Sequence, residues 1–267
     1  GAIVCSVLIE GKDFRAWDNV RGAEPGVLAP GGVYKLDSGY GCVHDEKPDP
    51  ISLGGCTKAV FAEGEDNRAE GFCFCQLWIN PGGLGALDSK PMSSQVVQPR
   101  EISCVTEGAL TVRVLAGSYG GVASPLSMPD DLQLLLLHGR IEGGGSAELE
   151  LPAGHEGFMV LVKDSAPATI NGQPLGPRQT AVIGHGGSSL KLAAASQGSP
   201  VHFLLGFGVP VRLTSTCSLA SQFSHINLKS PCVEQGTQPF AKLLGFGGAH
   251  LLVDPLIYPH AKLITLS

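Results

Sequence analysis

His44 and Glu46 stand two residues apart in "GYGCVHDEKP", Gly39 to Pro48, directly after a glycine-rich turn. In an extended segment residues i and i+2 point the same way, so an imidazole and a carboxylate there would converge on one point inside a barrel. Such a mixed nitrogen and oxygen pair suits a first-row cation such as Fe(II), Mn(II) or Ni(II), above all with histidines on a facing strand and open positions for substrate or O2. Two ligands alone do not hold a catalytic metal. Out of context, an H-x-E in a loop is most often a solvated polar pair.

Other reactive residue types give weaker signals. Cys42 lies two residues before His44, but a useful thiolate needs a positioned base and an electropositive surrounding, and Lys47 is the one cation close in sequence. A small buried side chain in a barrel strand is the better reading of Cys42. His138, His155, His185 and His202 each stand without a partner at i+2 or i+4. They read as surface or hydrogen-bonded residues at strand ends and not as ligands. "LLGFGVPV" offers G-x-G with no third glycine and no following helix, so no phosphate loop is expected.

The elements that must position His44 and Glu46 read as strands. The 37 Gly and 19 Pro among 267 residues are dispersed in twos and threes, the texture of many short strands joined by turns, with little helix. "AIVCSVLIEG" and "GFCFCQLWIN" are apolar runs, and "RGAEPGVLAPGGVYKL" implies turns around Gly26 and Gly31. A polar connector, "GGLGALDSKPMSSQVVQPR", follows to about Arg100 and is the expected domain boundary. Beyond it "ALTVRVLAG", "LQLLLLHGRI", "SAELELPAG", "GFMVLVKD", "PATINGQPL", "TAVIG", "SSLKLAAA" and "VHFLLGFGVPV" recur at the spacing of a β-sandwich or small barrel, with Asn171-Gly172 as a tight hairpin. The chain from about Leu213 is broken by Pro231, Pro239, Pro255 and Pro259, and its apolar end reads as a segment packing on its own body or on another subunit.

Composition excludes some partners. The net charge is −6 and Lys and Arg are scattered singly, so there is no basic stripe for direct nucleic-acid binding. No window approaches the roughly twenty apolar residues of a transmembrane helix. The eight Cys include no CxxC pair. Cys73 and Cys75, two apart on an expected strand, share a face and are badly placed to bridge each other, so free thiols in a reducing, intracellular compartment are expected. No N-x-S/T sequon and no signal pattern is present, which fits that expectation.

"GVLAPGGVYKLDSGYGCVHDEKP" followed by "QLWIN" resembles the first cupin domain of the pirin family, where an H-x-E pair precedes a proline and a Q-L-W-x-N strand comes later. "VRVLAGSYGGVASPLSMP", "LELPAGHEGFMVLV", "INGQPLG", "TAVIGHGGSSLKL" and "HFLLGFGVPV" fall in the order of the second cupin of that family. The resemblance spans roughly residues 3 to 211. It implies an all-β bicupin of two cupin-type barrels or sandwiches: a first cupin over 1–81, N-terminally incomplete, a connector over 82–100, a second cupin over 101–212 and an irregular extension over 213–267. It also implies a metal, usually iron, in the first barrel, held by an H-x-H pair plus the H-x-E, here His44 and Glu46. The H-x-H positions would precede Gly1, so either they lie upstream or this protein lacks them.

Two functions follow from the resemblance. One is a protein-interaction or accessory subunit with an incomplete metal site, meeting a protein partner or larger assembly through residues 213–267. The other is a mononuclear non-haem iron dioxygenase of the quercetinase type, with His44 as ligand and Glu46 as ligand and base, should the H-x-H lie upstream of Gly1. Fe(II) or another divalent first-row metal is the implied cofactor, and none if those histidines are truly missing. The pirin segments G-E-P and G-P-F-V-M-N have no counterpart in "GFGVPVRLTSTCSLASQFSHIN". On these grounds the sequence favours the interaction subunit.

Overall fold

The computed structural model describes residues 2–209, apart from 13, 23, 48–54, 70, 80–89, 163, 185–187 and 196–197, together with three short strands beyond them. The first half contributes β1 (Ile3–Gly11), β2 (Phe14–Asp18), β3 (Gly26–Leu28), β4 (Val33–Asp37), β5 (His44–Lys47), β6 (Thr57–Lys58), β7 (Cys73–Ile79) and β8 (Ser93–Val97). The second contributes β9 (Cys104–Glu107), β10 (Leu110–Ala116), β11 (Ser118–Tyr119), β12 (Val122–Ala123), β13 (Leu135–Ile141), β14 (Ser146–Glu150), β15 (Glu156–Leu161), β16 (Ala168–Ile170), β17 (Gln173–Leu175), β18 (Thr180–Ile183), β19 (Ser189–Ala194) and β20 (Val201–Gly208). The later strands are β21 (Leu244–Phe246), β22 (Ala249–Leu251) and β23 (Leu263–Leu266). Among the described residues helix is confined to 3-10 turns at Pro99–Glu101 and Asp130–Leu132. No described helix is long and apolar enough to cross a membrane, which says nothing of strands.

Four sheets stack in sequence. An outer sheet, β3-β2-β5, covers a large sheet, β7-β1-β4-β8; a second large sheet, β18-β15-β20-β13-β10-β9, backs onto the first and is covered by β14-β19-β16-β17. Three apolar layers fill the gaps. Val4, Leu8, Tyr34 and Leu36 meet Phe14, Ala16 and Leu28 inside the first barrel. Ile3, Cys5, Val7 and Leu77 of the first large sheet meet Leu136, Phe158, Val160 and Leu204 of the second. Leu137, Met159, Phe203 and Leu205 meet Leu149, Ile170, Leu190 and Leu192 inside the second barrel.

This layering explains why β1 is mostly apolar on both faces and buried along its length. Each of its residues is buried, because even positions face the first barrel and odd ones the second half. β2 covers the barrel on one side only and alternates buried and part-exposed residues instead. Cys73 and Cys75 do share a face, packed in or against the layer between the large sheets, and neither forms a disulfide. Burial pushes the Cys75 thiol up to about 12, as it does the Cys5 thiol, so neither is an activated nucleophile.

Local chemistry sets the turns. Asn171 and Gly172 both take positive φ, at 48° and 79°, and join β16 to β17 through the pair Ile170↔Gln173, the hairpin expected from Asn-Gly. Gly31 sits at φ 89° in the turn before β4. Gly26 differs from the sequence reading: it opens β3, paired with Ala16 across from β2, and the chain reverses earlier, at 19–22. Asp18 drives that reversal by accepting bonds from the backbone N–H of Val20 and Arg21 at 2.9 and 2.8 Å.

Two segments expected to be irregular contain strands. β8 lies inside the 82–100 connector and pairs along its length with β4, burying Val97. The 213–267 extension contributes β22 beside β7 and β23 in parallel beside β18, so described parts of the tail lengthen the chain's own large sheets. Both add-on strands take sheet edges whose backbone groups would otherwise lack partners.

Candidate metal centre

β5 runs antiparallel to β2, with Asp18 opposite His44 and Ala16 opposite Glu46. The strand period puts His44 and Glu46 on its half-buried face, while Asp45 and Lys47 point outward and pair with each other at 2.9 Å. Glu46 reaches from the outer sheet across the barrel to the first large sheet. Its Oε2 accepts a 2.5 Å bond from the Ser6 hydroxyl on β1 and a 3.1 Å bond from Gln76 Nε2 on β7. Gln76 Oε1 in turn accepts from the Trp78 indole N–H at 2.7 Å.

The other carboxylate oxygen is treated differently. Glu46 Oε1 lies 3.4 Å from His44 Nδ1, within ion-pair distance but without the alignment of a hydrogen bond. Both atoms are buried and neither has a hydrogen-bond partner. The Glu46 side chain is 5% exposed and that of His44 24%. A buried acceptor and a ring nitrogen left unsatisfied side by side are costly unless something binds both.

A second polar link between the same sheets lies close by. The Tyr34 hydroxyl on β4 donates to Asp18 Oδ2 at 2.9 Å, with both residues fully buried. Burial and the Asp18 carboxylate hold the Tyr34 phenol well above its ordinary range. Cys42 packs against the first-barrel core, and burial, with Asp18 adding to it, raises its thiol, the reverse of what a nucleophile needs.

The lone histidines fall elsewhere. His155 Nδ1 lies 3.1 Å from the Ala153 carbonyl, and His185 is outside the described residues. His138 departs from the surface or strand-end placement read from sequence, whereas His202 lies at the start of β20 and is part-buried. His138 sits in the middle of β13, fully buried, with neither ring nitrogen hydrogen-bonded. Strand pairing sets Arg113 opposite His138 and Arg140 opposite His202 on one face, turned toward the first half. The 59–65 segment caps them: Phe61 is 4.9 Å from His138, 5.7 Å from His202 and 4.8 Å from the Arg113 guanidinium. Arg140 pairs with Glu65, and Arg113 donates to the Val60 carbonyl. Burial holds His202 down to about 4 and His138 well below its ordinary value, with neighbouring cations, Arg140 and Lys58 for the one and Arg113 for the other, adding to it. This is a clasp between the halves, built from strand partners that sequence spacing cannot pair.

Sequence reasoning singled out His44 and Glu46 and missed Ser6, Gln76 and Trp78 as parts of the same site. The Q-x-W spacing carried the signal, since i and i+2 on a strand share a face. The donor set of His44 and Glu46 fits a first-row cation in type and in its two unsatisfied atoms. It supplies two positions; among the described residues no group of three His, Cys, Asp or Glu is arranged to hold a metal ion.

No family model matches the chain. A Thermoplasma acidophilum protein provisionally named quercetin 2,3-dioxygenase is 24% identical over 232 residues, covering 82% of this chain and 84% of that protein. A Pseudomonas aeruginosa protein of the same provisional name is 26% identical over 159 residues, 55% of this chain and 46% of its own length, so the match spans less than half of that relative. Among solved structures, a quercetin 2,3-dioxygenase from Acinetobacter baumannii superimposes with a TM-score of 0.62 at 22% identity, covering 79% of this chain and 66% of that one. The Escherichia coli bacterial pirin YhhW, solved in complex with nickel(II), gives 0.50 at 15% identity, covering 79% of this chain and 73% of its own. The fold is thus the all-β cupin type, and the relatives support a place in the cupin superfamily.

Proposed function

We propose that the protein is a pirin-like bicupin whose first barrel holds a divalent first-row metal through His44 and Glu46, and that it acts as a dioxygenase of the quercetinase type. The observation that carries this reading is the pair of buried, unsatisfied atoms, His44 Nδ1 and Glu46 Oε1, 3.4 Å apart on one strand face. The relatives add the substrate class: both curated matches and the Acinetobacter structure bear the name quercetin 2,3-dioxygenase. The family resemblance assigns the remaining ligands to an H-x-H ahead of β1.

A metal bound there would supply an electrophilic centre for the oxygens of a flavonol and for O2. The chain's own residues do the rest. Glu46 Oε2 is committed to Ser6 and Gln76, so Oε1 is the atom free to ligate or to take the proton of an acidic substrate hydroxyl. Phe14, Phe72 and Phe74, with ring centroids 5.3 to 5.6 Å apart, and Leu8 keep the barrel interior apolar beside the site. The test is metal analysis and quercetin oxidation on the intact protein isolated from its source. Bound iron, manganese or nickel with flavonol turnover is expected, and Glu46→Gln should lower turnover by about 100-fold or more. A protein that carries neither metal nor turnover contradicts it.

A second reading, an interaction or accessory subunit, is favoured by the exposed apolar side chains beside β5: Val20, Tyr40 and Val43 are 41%, 67% and 63% exposed. Asn19 ties two of them together, its N–H donating to the Val43 carbonyl and its Oδ1 accepting from the Val43 N–H, both at 3.0 Å. Val20→Ser and Val43→Ser together should abolish co-purification of a partner if this rim is a contact surface, and leave flavonol turnover in place if it is not.

A further inference from the structure

The polar chain that ends on Glu46 has a fixed direction. The Trp78 indole N–H can only donate, and it donates to Gln76 Oε1 at 2.7 Å. That contact decides which end of the amide faces Trp78, and so turns the Nε2 end toward Glu46 Oε2 at 3.1 Å and the Ser6 hydroxyl oxygen at 3.4 Å. The Ser6 hydroxyl gives its proton to the same Oε2 at 2.5 Å. An ionised carboxylate can only accept, so the chain starts at a donor-only group and ends at an acceptor-only group, and no link can reverse without breaking its neighbours.

We infer that Ser6, Gln76 and Trp78 are positioning residues for Glu46: they saturate Oε2 and thereby leave Oε1, beside His44 Nδ1, as the single oxygen offered to a ligand. This rests on reading His44 and Glu46 as a metal site. Two charge-assisted bonds to one oxygen pin a side chain that would otherwise rotate about its last torsion and present both oxygens. Glu46 is therefore held as a one-oxygen ligand, not as a chelating carboxylate. The register explains why the parts meet: Ser6 on β1 lies opposite Gln76 on β7, and Trp78 follows two residues on, on the same inward face. The Q-x-W word in β7 thus acquires a physical reason, with Trp78 setting the orientation of Gln76 and Gln76 that of Glu46.

The test uses the full-length protein from its source, with thermal unfolding as a check that each variant is folded. By calorimetry with Ni(II), Ser6→Ala and Gln76→Met should weaken binding about 10- to 100-fold, Gln76→Glu more, because it sets acceptor against acceptor, and Trp78→Phe about 3- to 10-fold. A folded set that binds Ni(II) as the wild type does would overturn the inference. A second readout needs no metal. The Gln76 side-chain amide protons should exchange slowly in the wild type and at least 10-fold faster in Trp78→Phe and in Glu46→Ala. Exchange at one rate in all three overturns the relay. A wild type that binds no Ni(II) but shows protected amide protons would sink the metal reading and keep the positioning of Glu46.

Discussion

Between the second large sheet and its cover the buried filling is apolar: Leu110, Val112, Leu137, Met159, Phe203 and Leu205 meet Leu149, Ile170, Leu190 and Leu192. The equivalent space in the first half holds a shorter apolar list, Val4, Leu8, Phe14, Ala16, Leu28, Tyr34 and Leu36, and beside it Ser6, Glu46, Gln76 and the Tyr34–Asp18 pair. One barrel plan therefore serves two purposes. The second barrel fills the space between its sheets with apolar side chains and contributes stability, whereas the first gives up part of its core to a polar network with one unsatisfied pair. A shared fold does not carry a shared chemistry; the side chains that line each barrel do.

If that contrast holds, truncation in the second barrel should have the largest effect on stability. Phe203 is fully buried and its ring lies over Gly139, where any Cβ would come within 2.1 Å of it. Phe203→Ala should cost about 3–5 kcal/mol in denaturant unfolding, with little change in metal affinity once folded protein is compared with folded protein.

The clasp between the halves comes next. His202 is held down to about 4 and His138 well below its ordinary value, both below the 6.5 of a free histidine. Below about pH 6.5 the unfolded chain takes up protons that the folded one refuses, so stability should fall as pH drops from 6.5 toward 4 and be flat above 6.5 as far as these two groups are concerned. The fall attributable to His202 is on the order of 3 kcal/mol. His202→Gln should flatten that part of the curve in urea titrations at several pH values. An unchanged slope would remove His202 from the clasp.

Smaller effects probe the polar network of the first barrel. Tyr34→Phe leaves the fully buried Asp18 without its hydroxyl donor and should cost about 1–3 kcal/mol, far less than a core truncation in the second barrel. Smallest is Asn171→Val in the β16–β17 hairpin, where a β-branched residue must take φ 48°; about 1–2 kcal/mol is expected, with the first barrel untouched.

The strands of the second half were legible because they are short apolar runs at regular spacing, separated by turns marked by glycine, as at Asn171-Gly172. β8 was not, since "SSQVV" is short, polar at its start and flanked by Pro91 and Pro99, and becomes a strand only through pairing with β4. His44 and Glu46 were singled out by their i, i+2 spacing together with the family resemblance of the segment around them. Ser6 was hidden inside an apolar run, and its role depends on Gln76 lying opposite it across β1 and β7. The meeting of His138, His202, Arg113 and Arg140 likewise depends on register between strands far apart in the chain. Long-range register is set by packing, which local periodicity does not encode.

Metal stoichiometry by mass spectrometry on the full-length protein and two variants tests the contrast between the barrels most directly. About one first-row ion per chain is expected in the wild type and in His138→Ala, and loss of most of it in His44→Ala. Metal retained by a folded His44→Ala, or lost from a folded His138→Ala, would contradict the placing of the chemistry in the first barrel.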